Sequence, residues 1–201
     1  MWQEIDLRHF GFSAGMSGTI DRRLIGPTFM HHLIARFLTR HEPRKDWRVH
    51  AKSASATAAG VTVIGGLAAA TGLPLLLAPL GPTAMLIFGQ PESAGAQPIN
   101  IFAGYLIGTV VATGALLFGP EPWWVATICV GLTMLVMLVL RVTHPPAAAV
   151  PLLVYPGPVE AVTLFAVLFM ACLTLVVLGI VLHRLPPKRR YPLPLRQEID
   201  L

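Results

Sequence analysis

Four stretches of the chain stay apolar for roughly the 20 residues that a helix needs to cross about 30 Å of hydrocarbon. They run from Ala54 to Leu77, Ile99 to Phe118, Trp123 to Leu140 and Val159 to Leu182. Two further apolar pieces, Pro82 to Gly89 and Pro145 to Tyr155, are too short to span alone, and both begin at proline. Proline at the first helical position costs no hydrogen bond, because that amide has no partner within the helix, so both prolines read as helix starts. The order of long span, proline-initiated short helix and long span occurs twice, over residues 54–118 and again over 123–182. The pattern predicts an all-α membrane protein with four transmembrane helices, two short proline-initiated re-entrant half-helices and a two-fold internal repeat.

Composition agrees: 54% of the 201 residues are hydrophobic, 12% are charged, and the mean hydropathy is +0.66. The charge is also segregated. Residues 1–52 hold nine of the fifteen Lys and Arg, residues 183–201 hold five, and Arg141 stands alone between them. The net charge of +5 therefore describes two tails and not a nucleic-acid-binding face. Three regions follow: a basic N-terminal segment (1–52), a transmembrane region (53–183) and a basic, proline-rich tail (184–201) expected to be extended and poorly ordered. In the first, Thr28 to Arg40 places Phe29, Leu33, Phe37 and Leu38 at helical spacing, as an interfacial helix would. No secretory leader pattern precedes the spans.

By the positive-inside rule both tails are cytoplasmic, in a cell inner (plasma) membrane, which requires an even number of crossings. Four crossings with two re-entrant pieces meet this condition. So do six, if flanking residues help the short pieces across, which would make the halves inverted repeats. Four is the expectation. It places Gly119 to Pro122 on the cytoplasmic face and Arg141 to Pro158 on the opposite one.

Several motifs have ordinary explanations. Gly11-Phe-Ser-Ala-Gly15 matches a nucleophile elbow but lacks the surrounding α/β sheet that gives that motif meaning. Adjacent His31 and His32 point to different sides of a helix, which suits headgroup contact better than metal binding. Cys129 and Cys172 lie in apolar runs without ligand spacing and read as packing thiols. No cofactor, metal site or enzymatic activity is expected from these residues. Gly104, Gly108 and Ala112 align on one helix face, where either another helix of this chain or a second copy in a homo-oligomer could approach closely. Trp123 and Trp124 read as interfacial anchors.

The informative constellation lies at the mouths of the two short helices. Arg141 ends an apolar run, and a charge within the membrane costs at least about 2.5 kcal/mol at a helix centre unless it is partnered. A small anion would be such a partner, with Thr143 and His144 adding hydrogen-bonding groups and the helix beginning at Pro145 adding a positive dipole end. Alternatively, Arg141 snorkels to the headgroups and His144 caps a loop. The other half offers Gly81, Pro82 and Thr83 at its short-helix start, then Gln97 and Asn100 at the entry to the next span. Asn100 also reads as an N-cap.

Three ordered blocks resemble the HPP family of integral membrane proteins: Ala78-Pro79-Leu80-Gly81-Pro82-Thr83-Ala84, Gln97-Pro98-Ile99-Asn100, and Leu140-Arg141-Val142-Thr143-His144-Pro145-Pro146-Ala147. The resemblance covers about Lys52 to Leu182. It implies a four-span membrane protein and, from members linked to nitrite transport, a transporter or channel for a small anion. The chain departs from the family pattern at Ile99, where an arginine is expected, at Ala103-Gly104-Tyr105 in place of Gly-Gly-His, and at Ala148 in place of glycine.

Overall fold

The structure is a computed structural model and describes residues 34–39, 44–117, 122–154 and 160–194. Of the expected interfacial helix, residues 34–38 are helical and expose Ile34, Phe37 and Leu38. The rest of that helix, the Gly11–Gly15 motif and His31-His32 lie outside the described residues.

From Lys45 onward the described residues form one unit without a strand. Helix α1 (Trp47–Thr71) starts where the Asp46 carboxylate accepts the Arg48 amide at 3.1 Å. It ends at Thr71, short of the expected Leu77, because Gly72 takes the left-handed conformation (φ 71°) and donates to the Ala68 carbonyl, with Pro74 close behind. There follow α2 (Leu80–Gly89), a 3₁₀ turn (Ala94–Ala96), α3 (Pro98–Leu116) and α4 (Trp123–Val139). A second 3₁₀ turn (Pro145–Ala149) runs directly into α5 (Val150–Val154), and α6 (Ala161–Arg184) completes the bundle. Helices α1, α3 and α6 are long and apolar enough to cross a membrane. The 17 residues of α4 rise about 25 Å, a slightly short span.

Contacts fix the direction of each element. Lys52 Nζ on α1 donates to the Leu185 and Pro187 carbonyls just after α6, so α1 begins where α6 ends. Arg189 reaches the Gly89 carbonyl at the end of α2, and the Leu193 amide donates to the Gln97 side chain before α3. The end of α2 and the start of α3 therefore lie at this same basic end. Helix α4 returns antiparallel to α3: Ala126 and Cys129 share a small cavity with Ala112 and Leu116, while Met137 packs against Gly104. Residues 145–154 then run back along α3, from Gly95 and Gly104 past Gly108 to a contact of Pro151 and Val154 with Ala112 and Leu116.

The short pieces thus carry the chain from one end of the bundle to the other and do not turn back to the end they came from. This corrects the re-entrant expectation. Helix α2 alone rises only about 15 Å, but the irregular residues 72–79, with tight turns at Leu75, Leu77 and Ala78-Pro79, continue its path to the end of α1. The first half (α1, α2, α3) and the second (α4, residues 145–154, α6) therefore run in opposite senses. The links are also relocated: Pro122 lies at the far end, and Arg141, at the end of α4, lies at the basic end, where α1 begins and α6 ends.

Glycines set how closely the elements pack. A Cβ on Gly60 would stand 2.8 Å from the Phe88 ring, and one on Gly179 2.5 Å from Ile87, so α2 lies in a groove between α1 and α6. Gly104, Gly108 and Ala112 are buried within this chain, the two glycines against His144, Ala147 and Val150. In this structure the stripe is therefore occupied by the chain's own residues 144–150. The tail also differs from expectation: residues 185–193 fold back onto the bundle, with Tyr191 buried. Cys129 and Cys172 are buried and form no disulfide.

A Cβ on Gly108 would lie 2.6 Å from the Ala147 carbonyl oxygen, a backbone atom with little freedom to yield. Gly108→Ala is expected to destabilise the bundle by about 1–3 kcal/mol. Gly131→Ala, where nothing lies within 4 Å, should leave stability unchanged or raise it by up to about 1 kcal/mol. Thermal unfolding in a fixed detergent checks both.

Candidate functional site

Where the two interrupted segments begin, their polar groups meet. Thr83, in the first turn of α2, and His144, just before the 3₁₀ turn, are both 0% exposed. The Thr83 hydroxyl lies 2.9 Å from His144 Nε2 and 2.8 Å from the hydroxyl of Tyr105 on α3. On the other side of the ring His144 Nδ1 is 2.7 Å from the Gly95 carbonyl. A carbonyl can only accept, so Nδ1 carries the proton and, in a neutral imidazole, Nε2 accepts from Thr83. With the Thr83 proton on Nε2, the single Tyr105 hydroxyl proton is shared between two acceptors, the Thr83 oxygen at 2.8 Å and the Pro79 carbonyl at 3.1 Å, and that carbonyl also accepts the Thr83 amide at 3.2 Å. Asn100 Nδ2 donates to the Thr143 carbonyl at 3.3 Å.

Side chains from three elements therefore satisfy carbonyls that the interruptions leave outside regular helix, and the cluster is closed. Burying such groups unpaired would cost about 1–3 kcal/mol each. A cavity of about 20 Å³ among Ala112, Leu116, Cys129 and Val154 lies apart from the cluster and has the size of a single water.

The sequence-predicted residues divide into four groups, of which Arg141 forms the last. Thr83, Asn100, Thr143 and His144 come together as described. Gln97 lies beside them but serves the loop and the tail: its amide donates to the Pro91 and Ser93 carbonyls, and its oxygen accepts from Leu193. It is also the residue preceding α3, so Asn100 is not the N-cap. Gly81, Pro82 and Pro145 are exposed.

The amides expected to present dipole ends are engaged. Leu80 donates to Leu77, Gly81 to Ala78, Thr83 to Pro79 and Ala147 to His144, while the prolines have no N–H to give. The short-helix starts therefore offer no free first-turn amide to an anion in this state.

Arg141 is exposed, and its side chain makes no hydrogen bond or ion pair among the described residues. Its backbone is unusual. The Arg141 amide donates to Leu138 and the Val142 amide to Met137, the paired bonds of a Schellman helix stop, with Arg141 at φ 58° in the position usually held by glycine. A side chain there is strained by roughly 1–2 kcal/mol.

Tyr105, Pro79 and Gly95 were not identified from the sequence. Tyr105 carried a signal, because it stands where the resembled family has histidine, and its hydroxyl restores a polar group at that position. Ile99, where that family has arginine, is 67% exposed and faces away from the cluster. The carbonyls carried no signal, since any residue supplies one.

Comparison with known proteins supports a transmembrane protein. Residues 42–192, three-quarters of the chain, match a family described as "HPP, transmembrane region". Two transmembrane proteins of Dictyostelium discoideum are similar: one is 28% identical over 129 residues (60% of this chain, 45% of the relative), the other 25% identical over 125 residues (58% and 40%). The chain thus spans less than half the length of these curated relatives. No solved structure matches it.

The backbone at Arg141 gives a direct test. Arg141→Gly relieves the left-handed strain, keeps the helix stop and is expected to raise stability by about 1 kcal/mol in thermal unfolding. A fall in stability would mean that the guanidinium holds the fold together through contacts of its own.

Proposed function

The chain belongs to the HPP transmembrane family, and we propose on that footing that it carries a small anion, nitrite by family resemblance, across the membrane between its two inverted halves. The chain would cross six times, with both described ends on the cytoplasmic face of an inner membrane, and Arg141 at that face obeys the positive-inside rule. The observation that carries the reading is the buried meeting of Thr83, Tyr105 and His144 where two interrupted segments begin, the arrangement of discontinuous-helix transporters. Arg141 is the capturing charge at the basic mouth. The hydroxyls of Thr83 and Tyr105, the Asn100 amide and His144 Nδ1–H are the donors that an opened site would offer. The role is transport and not catalysis.

Inward movement of a monovalent anion against 100 mV costs about 2.3 kcal/mol, so uptake needs a gradient or a coupled proton. His144 is the proton candidate. Were Nε2 protonated, it could donate to the Thr83 hydroxyl while that hydroxyl turns to the Pro79 carbonyl at 3.0 Å, and no group would be left unpaired.

A second reading has its own support. The engaged first-turn amides and the closed cluster suit a non-transporting structural or partner-binding protein, in which this network is simply a lock.

Nitrite flux into liposomes separates the two readings. The wild type should exceed empty liposomes, and Arg141→Gln and His144→Gln should each lose at least about ten-fold (about 1.4 kcal/mol), with thermal unfolding confirming that the variants are folded. Wild-type flux at the empty-liposome level under every imposed gradient would favour the lock.

A further inference from the structure

At the basic end a segment of the second half fastens onto every element of the first. After α6 the chain turns back as residues 185–193, in which Lys188 and Arg190 are exposed while Arg189 and Tyr191 face inward. Lys52 of α1 donates to the carbonyls of Leu185 and, at 2.9 Å, Pro187. Arg189 Nη1 donates to the Gly89 carbonyl at the end of α2 at 3.0 Å, and its Nη2 pairs with Glu92 at 3.2 Å. The Leu193 amide donates to Gln97 Oε1 at 2.9 Å, just before α3. Tyr191 is buried against His183, and a Cβ on Gly179 would lie 2.9 Å from its ring, so the segment is seated on α6 through a side chain that only glycine admits there.

The first half of this attachment continues directly to the buried cluster. Gln97 ties the strap to the Pro91 and Ser93 carbonyls of the loop that contains Gly95, and the Gly95 carbonyl holds His144 Nδ1. Three residues after Gln97, Asn100 holds the Thr143 carbonyl. The loop that positions His144 is therefore pinned from outside by the strap. Opening the cluster toward the basic end means separating α2, the loop and the start of α3 from α6, and the strap bridges those parts.

We infer that residues 185–193 are a latch that holds the basic end of the bundle closed, so that the His144 cluster opens to that side only when Arg189 and Leu193 let go. The latch rests on the two-halves reading of the transport proposal, but it is tested without any flux. Amide exchange is followed by mass spectrometry on the full chain in lipid nanodiscs, for the wild type, Arg189→Ala and Glu92→Gln. Arg189→Ala loses both the Gly89 bond and the Glu92 pair, and exchange over residues 90–97 and 142–147 should rise at least ten-fold while the middle of α1 and of α6 stays protected. Glu92→Gln keeps the Gly89 bond and should produce a smaller rise over the same residues, even if the first variant folds poorly. Faster exchange confined to residues 185–194, with 90–97 and 142–147 as protected as in the wild type, would overturn the latch. Faster exchange at the cluster in a protein that moves no nitrite would leave the latch standing and remove the transport reading alone.

Discussion

The hydrogen bond between Thr83 and His144 joins the two places where this bundle interrupts its own helices, and the rest of the architecture is arranged so that it can form. Inside a membrane no water is at hand to satisfy backbone carbonyls freed by an interruption, so irregular chain is tolerated only where protein groups take them up. Here the interruptions are set side by side and each helps to satisfy the other. Tyr105 serves the Pro79 carbonyl, His144 that of Gly95, and Asn100 that of Thr143. Moved apart, each break would need its own set of partners.

Bringing the breaks together requires close approach of elements that gain little from the hydrophobic effect, since lipid chains are as apolar as leucine. Packing must come from fit, and small residues provide it. Gly60 and Gly179 form the groove for α2, while Gly104 and Gly108 admit residues 145–154. The two interrupted limbs are therefore seated by the same device in opposite directions. That equivalence is a stronger sign of an inverted repeat than the order of spans, because it concerns what each limb touches.

The long helices were legible because an apolar run of sufficient length leaves few alternatives in a membrane, whereas the prolines marked the short helices only roughly: α2 begins at Leu80, two residues before Pro82, and Pro145 opens a 3₁₀ turn that becomes α-helix only at Val150. Direction was harder to read. A ten-residue helix is too short to cross, and the irregular residues 72–79 that continue its path have no periodic signature. One residue did carry the answer. Arg141 is a lone basic residue, and the positive-inside rule applied to it groups the end of α4 with the basic start of α1 and the basic end of α6, as the contacts of those elements do. The strap was illegible for a different reason. Its proline-rich composition reads as open chain, and nothing local announces that Arg189 meets Glu92 or that Gln97 has an oxygen to spare for Leu193.

Which sign of solute the cluster would favour can be argued from what its opening releases. Each of its bonds joins a donor on a side chain to a carbonyl of the interrupted backbone, apart from the hydroxyl and imidazole contacts. Opening would free both kinds of group, with carbonyls suited to a cation and N–H or O–H groups suited to an anion. The balance is tipped by formal charge. No carboxylate takes part in these bonds, and Glu92 is committed to Arg189, whereas the exposed guanidinium of Arg141 lies three residues before His144 in a strained conformation that glycine would adopt more easily. Under the transport proposal, a cation at such a position, which costs local stability, would serve a solute that is negative.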